Sequence, residues 1–452
     1  MESSPDSKIE ANAEFFLETE NLSGLERALF QADVRVNAAY CNALFHAGVL
    51  TRSEAERIKN GLQAIIKRAE HDRNYFDELT SQDVHSFVNG RLIQLIGETG
   101  RKLSIGRNKN EQLLTTLRLW MRREIEKTSG NIKEVQKSLI ETGEQKKEAF
   151  FPVLANLQKA QPILWAHWCL AYFEMLERDR ERLDEAWRRV NVSPFGAENS
   201  FEIDREEIAA ALDFEGIIMN GFDAASDTDF IVEFTNACAI LMRHLTRFAD
   251  EIIISISKEF GFVELKDKSV KGRENILKSL NLLRRKSNRV LGNQVALLSA
   301  EKNLPLSNSN NLQEEKESLF DTVEIVKMSL KAANLVVKNL SVNEAASLQW
   351  AKEDFFNVSE ITDYLLNKDM PFESADNIAG KIVNYAVAKN RQLNEISLSE
   401  FQSISPAFEA DVFQILDVEH YFNRKIQIGG TAPERVYEAL EAAKESLERE
   451  QI

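Results

Sequence analysis

The chain has 452 residues, enough for two to four domains or one elongated helical assembly. Hydrophobic residues make up 43%, sufficient for a large core, and 72 acidic against 56 basic side chains give a net charge of −16. That acidity disfavours a nucleic-acid partner, because phosphate-backbone binding needs clustered Lys and Arg.

Met1–Glu20 is acidic and lacks a basic region followed by an apolar core, so no signal peptide is expected. No uncharged apolar run approaches the ~18 residues of a membrane span. Cys41, Cys169 and Cys238 are odd in number, far apart and outside any CxxC spacing. A disulfide framework or a zinc site is not expected; buried thiols in a reducing cytoplasm are.

Proline is the useful punctuation. Nothing interrupts Asp6–Phe151 or Phe195–Leu304. Proline inside a helix costs roughly 3 kcal/mol, so such runs permit long helices. Helical periodicity covers Arg107–Thr142, and then Lys147–Val190 with a break near Pro162. Phe230, Phe234, Ala237, Leu241, Leu245, Phe248 and Ile252 follow at steps of three and four. Glu233, Arg243, Arg247, Asp250 and Glu251 take the other faces. This predicts one helix of about 30 residues or more, roughly 45 Å long, which needs a bundle shared between subunits to bury it. Leu312–Ala346 carries a similar pattern. Thr431, ahead of Ala432-Pro433-Glu434, reads as the N-cap of a last helix over Val436–Glu448, with Gly429-Gly430 supplying the turn. Alternating strand patterns are scarce. The chain is read as all-α, with an N-terminal helical domain over 1–106, a central long-helix bundle over 107–357 and a C-terminal helical domain over 358–452.

Several segments carry a resemblance. GRNKNEQLLTTLRLWMR (Gly106–Arg122) is similar to a GRSRNDQ-plus-helix signature, and LQKAQPILWAHW (Leu157–Trp168) to an LQ-x-AQP-x-x-x-HW segment. DRERLDEAWRRVNVSPFGA (Asp179–Ala197), MNGFDAASDTDFIVEF (Met219–Phe234), NNLQEEKESLF (Asn310–Phe320), ISPAF (Ile404–Phe408) and IGGTAPERV (Ile428–Val436) follow in order. Together they resemble the argininosuccinate lyase family of the aspartase/fumarase superfamily. The resemblance implies a three-domain, all-α homotetramer built on a twenty-helix core, with each active site drawing on three subunits. It also implies reversible β-elimination of argininosuccinate to arginine and fumarate, with no metal or cofactor.

Such an elimination needs a base beside a carboxylate, an acid for the departing nitrogen, and donors for the developing charge. In the family the base is a serine on a mobile GSSxMPxKxNP loop, and a Thr-His pair ahead of LQ handles substrate and proton. Here the pair reads Ala155-Asn156. Alanine has no hydroxyl, and a carboxamide does not titrate near neutrality. Asn156 is either a local backbone cap or a retained ligand contact. The loop reads Asp267–Ile276, with Lys268 and Ser269 where the two serines stand. Ser269 is the remaining candidate base if Lys268 and Lys271 lower its pKa; otherwise this is a basic, solvated loop. The carboxylate that supports the family histidine reads Asn281.

Other positions match the family's binding residues: Lys109 and Asn110, His85 of Gln82-Asp83-Val84-His85, and the Gln313…Lys316 pair. The tyrosine before that pair reads Asn308, and the arginine of the SDRD-like turn reads Thr228. His167, between Trp165 and Trp168, reads as core. His46, His71, His244 and His420 have no spacing for metal or triad work.

Three functions compete. The chain is a non-catalytic family member binding a small carboxylate-bearing metabolite, as a homotetramer or with an active paralogue. Or it is a repurposed lyase or ligase for another succinyl or amino-acid conjugate. Or it cleaves argininosuccinate. A plain acidic helical adaptor lies outside the family and leaves the ordered motifs unexplained. No nucleic-acid or membrane partner is expected.

Overall fold

The computed structural model describes residues 22–72, 74–76, 83–155, 157–159, 162–300, 312–352, 358–417 and 423–449. Its Cα packing separates two compact units. One comprises Met1–Thr128, Arg182–Cys238 and Val290–Glu324; the other comprises Ser129–Glu181, Ala239–Arg289 and Ile325–Ile452.

The first unit opens with α1 (Leu22–His46), α2 (Arg52–His71) and α3 (Val84–Ile96). Thr51 starts α2 with a capping box: its hydroxyl accepts from Glu54 N–H, and the Glu54 carboxylate accepts from Thr51 N–H. Ile58, Leu62 and Ile65 turn the buried face of α2 inward. A Cβ on Gly61 would lie 2.7 Å from Leu92 Cδ1, so glycine lets α3 come close. Phe30, Tyr75, Phe76 and Phe87 close the end of these helices, with Phe30 and Phe76 edge-to-face at 5.1 Å.

The five long helices are α4 (Lys109–Gln145), α5 (Trp165–Val190), α6 (Asp229–Ser255), α7 (Val270–Ala300) and α8 (Leu312–Asn339). The all-α reading holds: among the described residues strands are confined to two- and three-residue pairs. The helix expected over Phe230–Ile252 is 27 residues, about 40 Å, slightly shorter than predicted.

Two helical expectations are corrected. The described residues between 147 and 164 are not helix. Phe150–Phe151 pairs antiparallel with Ile163–Leu164, and Leu154–Ala155 with Gln158–Lys159. Pro152 and Pro162 lie between the outer and the inner pair, and neither can donate to a helical hydrogen bond. Helix resumes at Trp165, whose ring stacks on Trp168 at 4.9 Å. The Leu312–Ala346 run likewise stops at Asn339, where Leu340–Val342 pairs with Val263–Leu265 before a new helix, α9 (Glu344–Lys352).

The C-terminal segment has α10 (Val358–Leu366), α11 (Phe372–Lys389) and α12 (Leu398–Ile404) around Ile361, Ala379, Ile382, Phe401 and Phe408. The last helix, α13 (Pro433–Arg449), packs Val436, Leu440 and Leu447 with Ile140, Leu170 and Phe173. Thr431 is not its cap. Val436 N–H bonds Ala432 C=O, which places the cap at Ala432 and Pro433 in the first helical position, where its missing N–H costs nothing. Gly429 makes the preceding turn at φ +78°.

Cys41, Cys169 and Cys238 are buried and form no disulfide. Burial pushes the Cys41 thiol up to about 11 and raises Cys169 further. The native protein is therefore expected to show no fast thiol toward a disulfide reagent at pH 8, and three after unfolding. One thiol reacting within seconds before unfolding would contradict the buried assignment. Among the described residues no helix is long and apolar enough to cross a membrane.

Candidate functional site

The site grows from the first turn of α3. Asp83 is its N-cap, and Asp83 Oδ1 accepts from Ser86 N–H at 2.7 Å. The other oxygen meets Lys109 Nζ at 2.8 Å. Burial alone would raise the Asp83 carboxyl, but the bonds from Lys109 and Ser86 outweigh it and hold it below the usual range. Glu26, from α1, reaches the same turn: its Oε2 accepts from Val84 N–H at 2.9 Å, and its Oε1 lies 2.5 Å from Lys316 Nζ. Two sequence-predicted positions, Lys109 and Lys316, thus meet one helix N-terminus through carboxylates that the sequence reading did not single out.

His85 follows in the same turn and is buried. Its Nδ1 lies 3.4 Å from Asp33 Oδ1 without forming a hydrogen bond, and its Nε2 lies 3.5 Å from Arg107 Nη1. Asp33 is fully buried. It accepts from Asn37 Nδ2 at 2.7 Å and Gln112 Nε2 at 2.7 Å. Arg107 donates to Asn37 Oδ1 at 2.9 Å and lies over the Tyr40 ring at 4.8 Å. Its Nε and Nη2 are buried with no acceptor. Burial lowers the Arg107 guanidinium to about 10, opposed by the charge of Asp33.

The Gly106–Gln112 signature is held by local chemistry. Gly106 takes φ +68°, and a Cβ there would meet Asn199 Oδ1 at 2.7 Å. Asn108 Oδ1 accepts from Asn110 N–H at 2.8 Å, capping the start of α4. The Glu111 carboxylate accepts from Gly196 and Glu198 N–H at 2.8 and 3.0 Å, tying the signature to the SPFGA turn. Burial raises the Glu111 carboxyl.

Ser269 belongs to the other unit. The stretch read as a solvated loop is shorter than expected, because α7 begins at Val270. Ser269 Oγ accepts from Gly272 N–H at 2.9 Å, an N-cap bond, and Ser269 N–H donates to Asp267 Oδ1 at 2.9 Å. The Ser269 hydroxyl and then the Ser269 N–H, both bonded to the exposed Asp267 carboxylate, hold it below its usual range. Lys268 faces Glu264 at 3.1 Å. A cavity of about 330 Å³ beside this turn is lined by Val263, Glu264, Asp267, Lys268, Arg273 and Asn343. Ala155 ends the second strand. Asn156 and the side chain of Gln313 lie outside the described residues.

Two of the histidines without sequence partners gain carboxylate partners in space. His244 Nδ1 lies 2.7 Å from Asp179 Oδ2, and His46 Nδ1 lies 2.9 Å from Glu207 Oε2. His167 is half-buried, and burial lowers its pKa. Among the described residues no group of three His, Cys, Asp or Glu could hold a metal ion. Glu26, Asp33 and Arg107 are the site residues the sequence reading missed. The one available signal was Asp33 and Asn37 at helical spacing on an otherwise apolar face.

Helical units joined by long helices, with a charged cluster at a helix N-terminus, define the class. Residues 7–272 match a family model described as "Lyase". Solved structures give the same fold. An EDDS lyase in complex with formate superposes at a TM-score of 0.83, with 22% identity over 94% of this chain and 88% of that one. The 3-carboxy-cis,cis-muconate lactonizing enzyme of Pseudomonas putida superposes at 0.75, with 19% identity over 92% of this chain and 94% of that one. The particular family is narrower. Residues 355–423 match the argininosuccinate lyase C-terminal model. The argininosuccinate lyase of Bacillus cytotoxicus is 38% identical over 93% of this chain and 92% of its own length. That of Bacillus mycoides is 37% identical over the same shares. The chain belongs to the argininosuccinate lyase family.

Proposed function

We propose that this chain is a family member that no longer performs the elimination and instead holds a small carboxylate-bearing metabolite. The observation that carries this reading is the state of Ser269. Its oxygen accepts the Gly272 N–H of a helix start, and neighbouring Lys268 is turned to Glu264. A serine acting as base must be relieved of its proton by its surroundings; the carboxylate that meets the Ser269 hydroxyl is Asp267, which is exposed and held below its usual range, and so is a weak proton acceptor. Ala155 removes the hydroxyl of the other proton-handling pair, and Asn156 does not titrate. The test is fumarate release from argininosuccinate, followed in the ultraviolet, with the Bacillus cytotoxicus relative assayed alongside. Turnover at a comparable rate refutes the proposal.

Family membership supports a homotetramer, or a mixed assembly with an active paralogue, and the buried thiols suit a reducing cytoplasm. Light scattering at micromolar concentration is expected to give about four times the 51.5 kDa chain mass. A monomer would contradict this.

A second reading, a repurposed lyase for another succinyl or amino-acid conjugate, is favoured by Arg107 and His85. Buried donors without acceptors in a native protein ask for a partner. Product formation from such a conjugate, with argininosuccinate inert, separates this reading from the first. Ordinary argininosuccinate cleavage is the third reading, and the fumarate assay decides it.

A further inference from the structure

Two ion pairs sit around the first turn of α3, Lys109 with Asp83 and Lys316 with Glu26, and the charge of Asp33 acts on the buried Arg107 without a direct bond. The two lysine pairs differ in what a ligand can reach. The Lys109 side chain is 55% exposed, whereas Lys316 and Glu26 are 6% and 7% exposed. Glu26 also sits as a bound carboxylate would, with one oxygen on an ammonium and the other on a helix amide. A helix N-terminus favours an anion at that position. Beside it the buried His85 keeps Nδ1 without a hydrogen-bond partner.

Resting on the reading of this cluster as the ligand site, we infer that Glu26 is an internal carboxylate that occupies the anion position at Lys316 and sets the ligand specificity of the cluster. An incoming carboxylate then engages Lys109 and is barred from Lys316. Displacing Glu26 would leave a buried charge without its partner, which a small exposed anion does not offset. Glu26 is a specificity residue of the site, acting through the lysine it neutralises.

The test uses the full-length assembled protein and succinate as probe, by titration calorimetry at pH 7. In Glu26→Gln the amide oxygen still accepts from Val84 N–H but no longer neutralises the ammonium. Succinate affinity is expected to rise about tenfold or more over wild type. That gain is expected to vanish in the double variant Glu26→Gln/Lys316→Met. No gain, or a gain that survives loss of Lys316, overturns the inference. A measurement on the wild type stands even where a variant fails to fold. Acetic anhydride labelling read by peptide mass spectrometry is expected to modify Lys316 at least about tenfold more slowly than Lys109. Comparable rates overturn it equally. Failure of the functional reading appears elsewhere, as argininosuccinate turnover, and changes neither result.

Discussion

Purified protein is expected to release fumarate from argininosuccinate about 10⁴-fold or more slowly than its Bacillus cytotoxicus relative. A positioned general acid or base contributes typically 10²–10⁴-fold. On the proposed reading, proton handling is lost at two positions, Ala155-Asn156 and Lys268-Ser269. Their losses do not simply multiply, because groups acting as a unit are far from additive, so the expectation is set near the upper value for one loss. Oriented binding through Lys109 and His85 could hold a ligand without moving a proton. Restoring one position is accordingly expected to recover little. The variant Asn156→His, with Ala155→Thr, should stay within about tenfold of the starting rate, since a base at Ser269 would still be engaged by Gly272 N–H. Recovery to the relative's rate by that double change alone would show that the Ser269 turn can still act as a base.

Asp33→Ala is expected to cost about 3–5 kcal/mol of unfolding free energy, because it leaves the Arg107 guanidinium buried with no countercharge. It also strips acceptors from Asn37 and Gln112, both buried. Asp33→Asn keeps one acceptor oxygen and removes only the charge, so its cost should be smaller, about 1–3 kcal/mol. Urea unfolding followed by tryptophan fluorescence reads both, since Trp120 packs on Phe320 at 4.2 Å in the same unit. A loss under about 1 kcal/mol for the alanine variant would mean that Arg107 finds another partner or water, and the network would then be incidental.

The Ser269 turn and the Glu26–Lys316 pair are built differently. Ser269, Asp267 and Gly272 lie within six residues and hold one another by short-range bonds. Glu26 and Lys316 are 290 positions apart. The first arrangement is a helix start, which sequence can suggest from a Ser ahead of a helical run. The second depends on where two distant helices lie.

The same division runs through the fold. Periodicity by itself marked α4 and α6 to within a few residues of their ends, and the start of α8, because the 3.6-residue repeat of a buried face is local information. Ordered motifs marked the family, and proline spacing flagged the break near Pro162. Periodicity did not show that the residues ahead of Trp165 fold back as hairpins, because short strands carry too few residues to display alternation. It placed the last cap one residue early, at Thr431, since both Thr431 and Ala432 precede a proline-led turn and only backbone geometry chooses between them. The sequence by itself determined helix and family. Only the tertiary structure decided which charges meet: Glu26 with Lys316, Asp83 with Lys109, Asp33 beside Arg107 and His85. The physical reason is that an ion pair acts over a few ångströms in space, and chain distance carries no record of it until the helices have packed.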